Sequence, residues 1–212
     1  MRSFVSILPL AAFVLASCSS DPAAPADSGT QNPPADSGMT MPTADVPAAP
    51  TYPPGPYGSE INQRLRNFTL NTCDGTPWEF ARENWENSSM TVVIISAGWC
   101  VPCQREARQI QSQIVDPYVD RGVRVISVLV QDDRYMAITP TFCNRWVNTY
   151  DLQIPILMDP RFILQPFVPM AAFPGNVIID RQGRIRWRQF GTDMSLTAIR
   201  AAIEEVLAHP DP

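Results

Sequence analysis

The stretch Thr91-Val92-Val93-Ile94-Ile95-Ser96 leads, through Ala97, into Trp99-Cys100-Val101-Pro102-Cys103. Its first part is β-branched and apolar on both faces, the pattern of a central strand covered on both sides. From Val101 to Tyr118, residues Cys103, Ala107, Ile110, Ile114 and Tyr118 recur at helical spacing, which predicts a helix with one buried stripe. The two thiols therefore fall where a strand gives way to a helix. The first N–H groups of a helix lack intrahelical partners and the macrodipole favours negative charge there, so a thiolate is stabilised. The thiolate is the form that attacks disulfides, which points to redox chemistry rather than packing.

Working outward, Arg66 to Leu70 alternates and predicts a strand, Cys73 to Pro77 a turn, and Trp78 to Phe80 a second strand that closes a hairpin. Val123 to Val130 predicts another central strand. Pro140 to Tyr150 predicts a helix carrying Phe142, Trp146 and Tyr150 on one stripe. Pro155 to Met158 reads as a short strand and Arg161 to Phe167 as a short helix. Asn176 to Asp180 and Arg184 to Phe190 predict two strands joined at Arg181-Gln182-Gly183, with Gly183 suited to a left-handed turn position. Ser195 is placed to cap a last helix whose buried stripe is Leu196, Ile199, Ile203 and Val206. The order is a β-hairpin, βαβ, an αβ insertion, then ββα. That is an α/β fold with a mixed central sheet flanked by helices.

Composition divides the chain. In residues 1–17, Arg2 precedes a short apolar core from Phe4 to Leu15; it is too short to span a bilayer comfortably and reads as a cleaved export signal. Residues 18–57 hold ten of the 22 prolines, four Asp and no basic residue, a disordered, extended spacer. Residues 58–212 are long enough for one domain with a substantial core. With 15 basic and 17 acidic residues, that domain is nearly neutral and carries no signature of nucleic-acid binding. All 16 basic residues of the chain are Arg, so a lysine nucleophile or Schiff base is excluded. The single His, His209, sits near the end beside Pro210 and reads as a solvated tail residue. Cys–His and Ser–His catalysis thereby lose their base.

The run Leu15-Ala16-Ser17-Cys18 resembles the lipobox of bacterial lipoproteins. The resemblance implies cleavage before Cys18, lipid on its thiol and amine, and a membrane anchor without a spanning helix. Ser19 after the Cys resembles the outer-membrane sorting pattern of Gram-negative lipoproteins. The alternative is an ordinary signal with a stray Cys. Four Cys remain in an exported chain, where disulfides persist. Cys100 and Cys103 form the reactive pair. Cys73 and Cys143 are expected to form a structural disulfide closing a loop of about 70 residues, worth roughly 3–5 kcal/mol by chain entropy. Two buried free thiols, or an auxiliary redox relay, are the alternatives.

This order of elements, with Trp-Cys-Val-Pro-Cys between strand and helix, resembles the thioredoxin fold. More narrowly it is similar to the TlpA/ResA-type extracytoplasmic thiol–disulfide oxidoreductases, within the redoxin class that includes the peroxiredoxins. The extra N-terminal hairpin and the insertion between residues 131 and 160 fit that subgroup. Phe173-Pro174-Gly175 stands where the family places a cis-proline opposite its active-site disulfide. The resemblance implies that Cys100 is the exposed attacking thiol and Cys103 the buried resolving thiol. It also implies that Trp99 covers the disulfide, that Pro174 with Phe173 borders the substrate groove, and that Glu106 is the acidic residue one turn after the second Cys. The buried Asp that thioredoxin carries six residues before its first Cys is here Ile94. Glu106 is the best nearby base for Cys103, being three residues on; its alternative is a solvated residue paired with Arg105 or Arg108. Trp99 as plain core packing and Pro174 as a trans loop proline are the corresponding alternatives.

The implied reaction is exchange with protein thiols or disulfides and a redox partner, with no cofactor beyond the two thiols. Three rivals stand beside it. A peroxiredoxin-type peroxidase would have Thr or Ser three residues before the Cys and Pro four before that, but those positions are Ala97 and Val93. A metal site is short of ligands, since a lone Cys pair offers two where zinc sites use four. Copper delivery of the related Sco type uses wider Cys spacing and a distant His. A non-catalytic binding scaffold on the same fold is the third rival.

Overall fold

The computed structural model describes residues 52–84, 88–191 and 195–210. The expected signal, Cys18 and the spacer up to residue 51 lie outside the described residues. In chain order these form β1 (Thr69–Thr72), β2 (Pro77–Glu79), α1 (Phe80–Asn84), β3 (Met90–Ser96), α2 (Val101–Ile110), α3 (Asp116–Tyr118), β4 (Val123–Leu129), α4 (Pro140–Tyr150), β5 (Ile156–Met158), β6 (Gly175–Asp180), β7 (Ile185–Phe190) and α5 (Thr197–Ala208). Among the described residues, seven strands make one sheet in the order β2-β1-β5-β4-β3-β6-β7. β3, β4 and β5 are parallel, and β6 runs antiparallel to β3. β7 pairs antiparallel with β6, and the β1–β2 hairpin joins antiparallel to β5.

The centre of the sheet lies where the apolar runs require. β3 is buried at all seven positions and β6 at all six, because a central strand has side chains packed on both faces. The stripe Cys103, Ala107, Ile110, Ile114 and Tyr118 is buried, and so are Phe142 and Trp146 of α4 and Leu196, Ile199, Ile203 and Val206 around α5. All of these join one apolar core with the sheet.

Local departures from the expected elements have physical reasons. The helix after Cys100 changes character at Gln111–Val115, where the chain forms a π-helical turn. Asp116 N–H reaches back five residues to the Gln111 carbonyl, just ahead of Pro117, which has no N–H to continue the α ladder. The helix expected over Arg161 to Phe167 is replaced by a 3-10 turn at Gln165–Phe167. The buried Asp159 carboxylate accepts from Ile163 N and Leu164 N, each at 2.9 Å, and Phe162 takes a positive φ of 51°. That turn satisfies the donors a helix would have used. Ser195 stands one residue before the N-cap position of α5. Its Oγ lies 2.8 Å from Thr197 Oγ1, and the capping position falls to Leu196, left-handed at φ 53° and buried.

Residues 52–57, expected as the end of the spacer, pack on the domain. Tyr52 Oη donates to Leu65 O at 2.6 Å, and its ring meets Phe80 edge-on at 6.2 Å. Burial pushes the Tyr52 phenol well above its ordinary value.

Candidate functional site

β3 leaves the sheet at Ser96 and turns through Ala97-Gly98-Trp99 to Cys100. Backbone bonds hold this loop: Gly98 N donates to Gln131 O at 2.8 Å, Cys100 N to Ala97 O at 3.1 Å, and Val130 N to Ser96 O at 3.1 Å. Gln104 Nε2 donates to Gly98 O at 2.8 Å, tying the loop to the first turn of α2. Gly98 is required by space. A Cβ there would stand 2.3 Å from Phe142 Cζ and 2.7 Å from the Asp132 carbonyl carbon.

Cys100 and Cys103 are joined by a disulfide with Cα atoms 5.2 Å apart. Cys100 is the N-cap of α2, and its Sγ accepts from Cys103 N at 3.1 Å. Pro102 lies in the first turn, where a missing N–H costs nothing and its fixed φ suits a helix. Cys103 is fully buried. Cys100, expected to be exposed, is only 3% exposed in this disulfide form.

Aromatic rings surround the loop. Trp99 stacks on Tyr135 at 4.8 Å between centroids and meets Phe173 edge-on at 5.7 Å. Phe173 stacks in turn on Phe162 at 5.7 Å. Trp99 Nε1 donates to Gln131 Oε1 at 3.0 Å, so the indole is half-buried but oriented by a polar contact. The Phe173–Pro174 peptide bond is cis. It sits at the entry to β6, whose Gly175 pairs with Ile95 of β3, at the end of the sheet from which the Cys100 loop departs. Gly175 also has a spatial reason, since a Cβ there would stand 2.7 Å from Val168 Cγ2. Val101, Tyr135 and Met136 are exposed apolar side chains on the Cys loop and the loop beside it.

Glu106 is not solvated. It is 5% exposed on the same helix face as Cys103, and its Oε1 accepts from Asn176 Nδ2 at 2.7 Å. Asn176 lies on β6 opposite Ile94. The structure thus brings Trp99, Cys100, Cys103, Phe173 and Pro174 to one end of the sheet and sets Glu106 one turn into α2. Asn176, Gln131, Tyr135 and Gly98 were missed by sequence reasoning. An Asn in the otherwise apolar run to Ile179 was a usable signal; Gln131 and Tyr135 carried none.

Cys73 and Cys143 lie apart from this group, joined by a disulfide with Cα atoms 5.3 Å apart. The bond ties the β1–β2 turn to the first turn of α4. His209 is exposed, its Nδ1 3.1 Å from Glu205 Oε1. A cavity of about 580 Å³ lined by Tyr57, Leu65, Phe68, Arg161 and Phe167 includes none of the Cys-loop residues. Among the described residues, no three of His, Cys, Asp and Glu gather as a metal site, and no helix is long and apolar enough to cross a membrane.

The Cys100–Cys103 disulfide at a strand-to-helix junction, on a mixed sheet flanked by helices, defines a thioredoxin-like protein of the redoxin class. The chain belongs to the AhpC/TSA family, whose model matches residues 61–188. This membership supports an activity of the oxidoreductase type. Solved structures share the fold at low identity. A candidate thiol:disulfide interchange protein DsbE from Chlorobium tepidum is 17% identical with a TM-score of 0.58, over 70% of this chain and 98% of that one. A secreted Mycobacterium tuberculosis disulfide oxidoreductase homologous to E. coli DsbE is 17% identical with a TM-score of 0.51, over 65% and 95%. The peroxidoxin BcpB from Mycobacterium tuberculosis is 13% identical with a TM-score of 0.56, over 72% and 99%. No curated protein matches the chain.

Proposed function

We propose that the protein is a TlpA/ResA-type thiol–disulfide oxidoreductase that works outside the cytoplasm, held to a bacterial membrane by lipid on Cys18. The observation that carries this reading is the Cys100–Cys103 disulfide at the N-terminus of α2, with an N–H already directed at Cys100 Sγ at 3.1 Å. That donor favours the thiolate that exchange needs. In the reducing direction, Cys100 thiolate attacks a substrate disulfide and expels one substrate thiolate. Cys103 then attacks Cys100 Sγ, closes the ring and releases the second substrate sulfur as a thiolate. The substrate gains two electrons and the Cys pair loses two. Burial keeps the Cys103 thiol neutral without a base, and Glu106, on the same buried helix face, is the group suited to take its proton. Trp99, Phe173 and Pro174 border the place where the substrate chain would lie. The direction in the cell is set by the partner's poise.

An insulin-reduction assay tests the activity: the wild type reduces insulin disulfides and Cys100→Ser does not. Equal activity in the two proteins overturns the reading, as does an inactive wild type, which would favour a binding scaffold. The peroxidase reading has the family match and the BcpB likeness in its favour. Against it, Ala97 lacks the hydroxyl of that motif and is fully buried; peroxide consumption by the purified protein distinguishes the two. Cys103→Ser, which stalls the mixed disulfide, traps the partner proteins. The anchor is tested by mass spectrometry of the mature N-terminus, where a lipidated Cys18 is expected and an unmodified residue would refute it.

A further inference from the structure

We infer that Asn176 is a positioning residue for Glu106, serving its carboxyl group in both protonation states. This rests on the reading of Glu106 as the base for Cys103. Asn176 is 2% exposed and sits within β6, where Val177, Ile178 and Ile179 are buried apolar neighbours. Its Nδ2 donates to Glu106 Oε1 at 2.7 Å, a short contact of the charge-assisted kind. Its Oδ1 is enclosed with no hydrogen-bond donor in reach among the described residues. Buried amides ordinarily use both ends. Here one end is engaged and the other is held unused beside a carboxyl group.

An amide can donate to a carboxylate or, after a half-turn of its terminal torsion, accept from a carboxylic acid. A base that cycles needs a partner of that kind. When Cys103 gives up its proton, the S–H bond breaks and an O–H bond forms on Glu106. The Cys103 thiolate bonds to Cys100 Sγ as the Cys100–substrate S–S bond breaks, and the substrate sulfur leaves with the electron pair. The proton on Glu106 then passes to the departing thiolate. Throughout, Asn176 holds the carboxyl group in place, donating before the proton arrives and accepting afterwards. Asp180, at the far end of β6, accepts from Gln182 N and Arg184 N; Asp159 binds the 163–164 turn. Arg108 donates to Gln104 O, Arg105 is exposed, and Arg188 on β7 pairs with Glu60.

The test uses the reduced full chain and dithiobis(nitrobenzoate) as probe. The first nitrothiolate released reports attack by Cys100, and the second reports closure by Cys103. Asn176→Leu keeps the branching at Cγ and removes both hydrogen-bonding ends. It should leave the first release unchanged and move the acidic limb of the second toward alkaline pH by about one unit, roughly tenfold slower on that limb. Asn176→Thr, whose hydroxyl both donates and accepts, should restore the profile. A leucine profile that superimposes on the wild type, or a threonine profile displaced equally, overturns the inference. Should the leucine variant not fold, the side-chain amide NMR signals of Asn176 in the reduced wild type decide. They should titrate with the midpoint of the second release, and flat signals overturn the inference. No release at all from the wild type would defeat the thiol-exchange reading itself, and this inference with it.

Discussion

The molecule holds two disulfides with nearly equal Cα separations, 5.2 Å and 5.3 Å, in opposite surroundings. Cys100–Cys103 spans three residues at the start of a helix, with an N–H pointing at one sulfur and a buried carboxyl group one turn away. Cys73–Cys143 spans 70 residues, and Cys73 Sγ faces the Ile156 carbonyl oxygen at 3.9 Å. A carbonyl oxygen disfavours a thiolate, whereas an N–H at a helix start favours one. On the proposed function, the same bond serves as a reaction centre or a tether according to what faces the sulfur, not according to the bond's own dimensions.

Substitutions can break this contrast. Cys100→Ser should abolish insulin reduction, the largest effect expected. Replacing Cys73 and Cys143 together by Ser should lower unfolding free energy by about 3–5 kcal/mol in denaturant titration while leaving exchange at 25 °C within about twofold. A comparable loss of exchange would make the second pair part of the chemistry. Glu106→Gln should slow closure by Cys103 by about 100-fold and leave attack by Cys100 intact, as read by the two releases from dithiobis(nitrobenzoate). Gly98→Ala should cost about 1–3 kcal/mol, because the backbone at Asp132 leaves no room for the methyl group; Trp99 fluorescence should shift with it.

The smallest effect belongs to the exposed pair Arg121–Glu204, 2.7 Å apart. The hydrogen bond from Arg121 holds the Glu204 carboxyl below its ordinary value. Its slight stabilisation is therefore present above the unfolded carboxylate value and disappears as pH falls through the lower folded one. Glu204→Gln should change thermal stability slightly at neutral pH and not at all in acid.

The sequence made much of this legible, and the reasons differ by residue. β3 and the helix stripe could be read because burial on both faces or on one stripe leaves a period in the residues themselves. That Glu106 shares a buried helix face with Cys103 was readable from the three-residue spacing, while its expected role came from the family resemblance. Asn176 was harder, because its partner lies 70 positions away in sequence and only antiparallel pairing with β3 brings it near. The burial of Cys100 depends on how the loop before α2 packs, which no periodicity encodes. Ser195 marked the start of α5 to within one residue, the N-cap position falling at the buried Leu196. The Arg161 to Phe167 segment had helical composition, yet the Asp159 carboxylate captured the N–H groups first.

The most direct measurement is a redox titration of the folded chain, with each cysteine's state read by differential alkylation and mass spectrometry. Cys100 and Cys103 should open and close reversibly while Cys73–Cys143 stays closed and the domain stays folded. A Cys100–Cys103 bond that resists strong reductant, or a Cys73–Cys143 bond that opens at the same poise, would contradict the account.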